Sequence, residues 1–225
     1  MNVGLPFLIP ALLGAQLVLT MVLTKGEICP GQRGRVHKTL PILLVGWLIA
    51  TIFQPLAVLP LLALAYFTMK VKTGKTRDAG PLNVFYAADG LAAVVWLMTA
   101  ASLSLPVAVL SLMAIPLFGA LLAHLLLTQA RTRLQAFHRL LPFAGVASAI
   151  LSVLCLLWVA MQLGDAQAQA MVGTMIAALV CLVAALLVWA MHLLSAKTVN
   201  RWQLLAAAVL LVGSAYFESV LIMAV

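Results

Sequence analysis

Long apolar runs alternate with short polar breaks along this 225-residue chain, and every Lys and Arg lies in a break or at its edge. Most runs are about twenty residues long, which as an α-helix matches the ~30 Å hydrocarbon core of a bilayer at 1.5 Å per residue. The pattern predicts helices over about 3–24, 36–53, 57–72, 82–103, 106–129, 140–163, 168–194 and 202–225. One stretch is ambiguous. Residues 39–69 are long for one span and short for two, and Gln54-Pro55 with Pro60 lies near their middle. A residue before proline is pushed out of helical geometry, so the stretch is expected to fold back as a hairpin.

Charge decides between the two readings. The thirteen basic residues fall in four segments, 25–38, 70–77, 131–139 and 197–201. Eight spans put all thirteen on one side, whereas seven spans divide them nine against four. Loops rich in Lys and Arg resist translocation, which favours eight. The chain is therefore expected to be an all-α, polytopic transmembrane helical bundle, a single domain over 1–225, with both termini outside. The basic loops would be cytoplasmic and the membrane a bacterial inner membrane.

Composition narrows the classes further. With 65% hydrophobic and 8% charged residues there is no room for a separate soluble domain. The net charge of +8 belongs to loops facing anionic head groups, so no nucleic-acid partner is expected. The first apolar run has no basic segment before it and is expected to be a spanning helix rather than a cleavable leader. Cys29, Cys155 and Cys181 have neither disulfide nor metal spacing. No serine-hydrolase elbow, zinc-protease, P-loop or dinucleotide motif occurs, and no inverted repeat relates the halves.

Ionisable side chains inside a membrane are expensive and mark candidate sites. Asp89 would lie about 10 Å below the basic surface and Glu218 about 24 Å from it, too far apart in depth to cooperate. Asn83, Tyr86 and Asp89 recur at a spacing that could share one helix face. Gln16, His124 and His192 fall at a comparable depth. Two arrangements are open. Asp89, His124 and His192 could form the catalytic centre of an inner-leaflet cavity, with Gln16, Lys38, Asn83 and Tyr86 binding substrate. Alternatively, Asp89 joins two helices and each histidine sits at an interface with its tip toward the head groups. His37 and His138 read as loop residues at the membrane surface. No cofactor is expected, since no haem-attachment or close-spaced His motif is present, and no metal site.

The basic run Arg33-Gly34-Arg35-Val36-His37-Lys38 leading into Thr39-Leu40-Pro41-Ile42-Leu43-Leu44, the basic loop near Arg131 and Gly173 give the chain a layout. That layout resembles the YhhN-like, lysoplasmalogenase-like integral membrane family over nearly its whole length. The resemblance implies an eight-span protein that binds a lysolipid or similar amphiphile and hydrolyses a vinyl ether. Family members carry carboxylates late in helix 3 and in helix 7. Here those places read Thr68-Met69-Lys70 and Val180-Cys181-Leu182-Val183-Ala184-Ala185. Either Asp89 takes over as general acid/base with a histidine assisting, or the chain is a divergent member that binds lipid without cleaving it; in both cases Lys38, Lys70, Arg131 and Arg139 would meet the head group. A small-molecule or proton-coupled transporter using Asp89 and Glu218, or a membrane scaffold using neither, are the rival classes.

Overall fold

The structure, a computed structural model, describes residues 5–132, 134–195 and 198–224, and it is helical almost throughout. Arg133, Lys197 and the helix ends expected at residues 3 and 225 lie outside the described residues. The helices are α1 (Leu5–Lys25), α2 (Pro30–His37), α3 (Leu40–Phe53), α4 (Val58–Lys70), α5 (Leu82–Ala101), α6 (Leu105–Gln129), α7 (Gln135–Ala160), α8 (Asp165–Leu194) and α9 (Arg201–Met223). Seven helical stretches are long and apolar enough to cross a membrane, counting α2 with α3 as one. The chain is a polytopic helical membrane bundle.

The ambiguous stretch turns back on itself. Gln54 adopts extended backbone, Pro55–Ala57 form a 3-10 turn, and α4 returns. His37 Nδ1 then donates to the carbonyl of Lys72 at 2.9 Å, a contact one continuous helix would forbid. At 14 residues α3 rises about 21 Å, less than the hydrocarbon thickness. Gln54 nevertheless reaches Thr99 near the far end of α5, at 3.5 Å. The hairpin therefore extends almost as far as its neighbour. The helix expected over 36–53 differs in one respect. Pro41 sits in the first turn of α3 and lacks the N–H that would tie it to His37, so the basic run Pro30–His37 forms its own helix.

The basic segments gather at one end of the bundle through hydrogen bonds between them. Thr76 N donates to the Pro30 carbonyl at 3.1 Å, and Arg33 to the Arg77 carbonyl at 2.5 Å. Arg35 donates from Nε to the Ala130 carbonyl at 2.7 Å and from Nη2 to the Arg131 carbonyl at 3.2 Å. Arg131 and Arg201 in turn line one cavity.

The tightest contact is between α1 and α6, which run in the same direction. At Gly14 a Cβ would overlap the Ile115 carbonyl, and at Gly119 it would overlap the Gly14 backbone. Glycine here lets two backbones touch, the usual device where apolar helices must associate inside lipid. Around this pair, α3 and α5 pack on the α1 side, and α7 and α9 on the α6 side, with α8 against α9.

Candidate functional site

Two polar clusters flank the α1–α6 contact, and a groove opens at the basic end. On the α1 side, Gln16 and Thr20 are one turn apart and point away from Gly14, because two residues advance a helix by about 200°. Gln16 Nε2 donates to Asp89 Oδ1 at 2.9 Å, Thr20 Oγ1 lies 2.6 Å from Asp89 Oδ2, and Trp47 Nε1 donates to Gln16 Oε1 at 2.9 Å. All four side chains are buried. Both oxygens of Asp89 are thus engaged, and its partners are an amide and a hydroxyl rather than an imidazole. This is the interhelical arrangement, joining α1, α3 and α5.

Asn83 and Tyr86 are exposed on α5 while Asp89 is buried, so the three do not share a face. Each step of three residues falls about 60° short of a full turn, and two steps rotate Asp89 about 120° away from Asn83. Lys38 is exposed beside α2 and does not line the groove.

On the α6 side, His124 is fully buried between two partners. Trp189 Nε1 donates to its Nδ1 at 2.9 Å, and its Nε2 lies 2.9 Å from Nδ1 of His138. His138 Nε2 faces the Thr132 carbonyl at 3.3 Å. His192 packs edge-on against His124 with ring centroids 5.4 Å apart, and its nitrogens lie 2.8 Å from the Trp189 carbonyl and 3.2 Å from the His138 carbonyl. The structure therefore brings His124 and His192 together, adds His138 and Trp189, and leaves Asp89 on the other side of α1 and α6.

His138 and His192 line the inner wall of the groove. Two adjoining cavities of about 940 and 870 Å³ share Thr128, Arg131, Thr198 and Val199 between the α6–α7 and α8–α9 connections. Arg131, Arg139 and Arg201 give the walls positive charge, and Phe143, Met191 and Leu193 supply apolar surface. Thr128 Oγ1 is buried and has no hydrogen-bond partner among the described residues. Arg131 has φ +49°, a left-handed conformation at the position after α6 where glycine is the usual residue. The Thr132 N–H closes back on the Leu127 carbonyl at 3.2 Å. An arginine held there at a cost of about 1–2 kcal/mol points to a use for its side chain.

Glu218 is remote from both clusters. It lies near the end of α9, buried, with Oε1 2.9 Å from Ser214 Oγ, which in turn contacts the Ala178 carbonyl at 2.9 Å.

Sequence reasoning missed Thr20, Trp47, His138 and Trp189. Thr20 was available from the i, i+4 spacing to Gln16. His138 was available too, because it and His124 are equidistant from the turn at Arg131 and so meet across the α6–α7 hairpin.

If Asp89 is an interhelical latch, an amide at that position keeps the network. Asn offers an acceptor to Gln16 Nε2 and an N–H to Thr20, whose hydroxyl can donate to the Gln16 carbonyl 3.0 Å away. Asp89→Asn is expected to leave the thermal midpoint of the detergent-solubilised protein nearly unchanged, while Asp89→Leu lowers stability by about 1–2 kcal/mol. Equal stability of the Leu variant contradicts the latch.

Comparison with known proteins places the whole bundle in one group. A family model described as an integral membrane domain matches residues 2–218. An uncharacterized protein of Haemophilus influenzae is 36% identical over 163 residues, covering 68% of this chain and 61% of the relative. The chain thus spans less than two thirds of that relative's length. No solved structure matches it. On the family match, which runs from α1 into α9, the chain belongs to this family of integral membrane domains.

Proposed function

We propose that the protein is a bacterial inner-membrane protein of the YhhN-like type that binds a lysolipid or similar anionic amphiphile at its cytoplasmic face. The observation that carries this reading is the groove at the basic end, with Arg131, Arg139 and Arg201 beside apolar Phe143, Met191 and Leu193. A phosphate head group matches the guanidinium walls, since Arg presents paired N–H donors to phosphate oxygens. An acyl chain matches the apolar lining and the surrounding bilayer. The Thr128 hydroxyl, which has no partner among the described residues, and the left-handed Arg131 lie in the same groove.

Binding without cleavage fits the chemistry better than hydrolysis. Vinyl-ether cleavage needs a placed acid, and the residue first suited to that role, Asp89, has both oxygens engaged away from the groove. The gathered basic segments support an orientation with that end in the cytoplasm and both termini outside, because loops rich in Lys and Arg resist translocation.

Cys29 is an exposed free thiol at the basic end. In intact cells it is expected to resist a membrane-impermeant maleimide, while Gln167→Cys at the opposite end is labelled; labelling of Cys29 reverses the orientation. Fluorescent lysophosphatidylglycerol is expected to bind the purified protein in neutral detergent. The double variant Arg131→Gln, Arg139→Gln should weaken binding by about tenfold or more, the worth of one charge-assisted hydrogen bond. Arg131→Gly should bind less well while remaining at least as stable, because glycine relieves the left-handed backbone. Undiminished binding in the double variant overturns the groove assignment.

A further inference from the structure

His138 links the buried interior to the groove, and the order of hydrogens leading to it is fixed from the inner end. An indole N–H can only donate, so the 2.9 Å contact from Trp189 makes Nδ1 of His124 the acceptor. A neutral His124 then carries its hydrogen on Nε2, pointing at Nδ1 of His138 across 2.9 Å. That contact occupies the Nδ1 lone pair of His138 and leaves the His138 hydrogen on Nε2, the nitrogen facing the Thr132 carbonyl at 3.3 Å. The reverse order fails at its origin. A hydrogen on His138 Nδ1 would confront the one on His124 Nε2, and moving that one to His124 Nδ1 would confront the indole. Gly145 on α7 leaves room for the indole, because a Cβ there would overlap the Trp189 ring.

The outer end of the chain is where a ligand would meet it. His138 lines the groove with Arg131, Arg139 and His192, and its bond to Thr132 is longer than the usual 2.7–3.2 Å range for N–H···O. An oxyanion is a stronger acceptor than that carbonyl.

We propose that His138 determines what the groove accepts: its Nε2–H, held in one tautomer by Trp189 through His124, donates to a phosphate oxygen of the ligand and does not shuttle protons. This rests on the groove reading above and adds to the arginines a neutral donor fixed in direction toward a phosphate oxygen. The phosphate could belong to a lipid head group or to free phosphate, and the two are separated by the probes used.

The test is nitrogen NMR of the full chain in detergent with labelled histidine and tryptophan, which is tractable because only four histidines are present. A scalar coupling between His124 Nε2 and His138 Nδ1 across their hydrogen bond is expected, with His138 protonated at Nε2. Trp189→Phe removes the fixed donor and is expected to produce a mixture of tautomers, with part of the His138 hydrogen moving from Nε2 to Nδ1. Lysophosphatidylglycerol is expected to shift His138 Nε2 and leave His37 unmoved. The same shift with inorganic phosphate assigns recognition to the phosphate alone, and a shift with the lipid only assigns it to the lipid. Absence of the coupling in the unmodified chain, or an Nε2 that responds to neither probe, overturns the proposal. If the lysolipid binds through the arginines and His138 stays silent, this inference falls and the groove reading stands; if the lysolipid does not bind at all, both fall.

Discussion

The direct contact of α1 with α6 at Gly14 and Gly119 governs everything built around it. With no side chain on either residue the two backbones touch, and a Cβ on either would force them apart. Lipid supplies no hydrophobic drive for helices to associate, so close packing of this kind must supply it instead. The pair forms a spine with two outward faces. Gln16 and Thr20 project from α1 toward α3 and α5, and His124 projects from α6 toward α7 and α8. The same spine that brings the polar residues to one depth keeps the two groups apart.

Each group obeys the rule that polar atoms in a bilayer must find partners within the protein. In each, a buried tryptophan supplies the innermost N–H: Trp47 to Gln16 and Trp189 to His124. Because an indole only donates, it sets the direction of the hydrogen bonds relayed through the side chain that accepts from it. The consequences differ with what lies outside. The α1 network ends on Asp89, whose oxygens are used up, and acts as a latch. The α6 network ends on His138 at the wall of an open groove, where the next acceptor can be a ligand.

Much of the fold was legible because hydrophobicity and charge act over whole helices. The run lengths mark the helices, and the Gln54-Pro55 break lies equidistant from His37 and Lys72, which the hairpin joins. The separate helix Pro30–His37 was less visible, since it depends on one missing N–H at Pro41. The site was legible only in its ingredients. Asp89, Gln16, His124 and His192 stood out as polar residues at comparable depth, but depth fixes one coordinate and leaves the azimuth free. Asn83 and Tyr86 show the cost, since their spacing to Asp89 drifts around the helix until they face outward. Which side of α6 faces which neighbour is set by Gly14 and Gly119, and two glycines among fourteen do not identify themselves as a contact. His138 looked like a loop residue because it lies at the start of α7, where surface and groove are one turn apart.

On the proposed function, an anionic amphiphile occupies the groove between the α6–α7 and α8–α9 connections. The most direct measurement is photocrosslinking with a lysophosphatidylglycerol carrying a diazirine near its head group, followed by mapping of the modified residues. The account predicts adducts concentrated on groove residues such as Phe143, Thr198 and Val199, and suppressed by excess unlabelled lysolipid. Adducts spread evenly over exposed apolar positions remote from the groove, such as Ile52 and Val209, would contradict it.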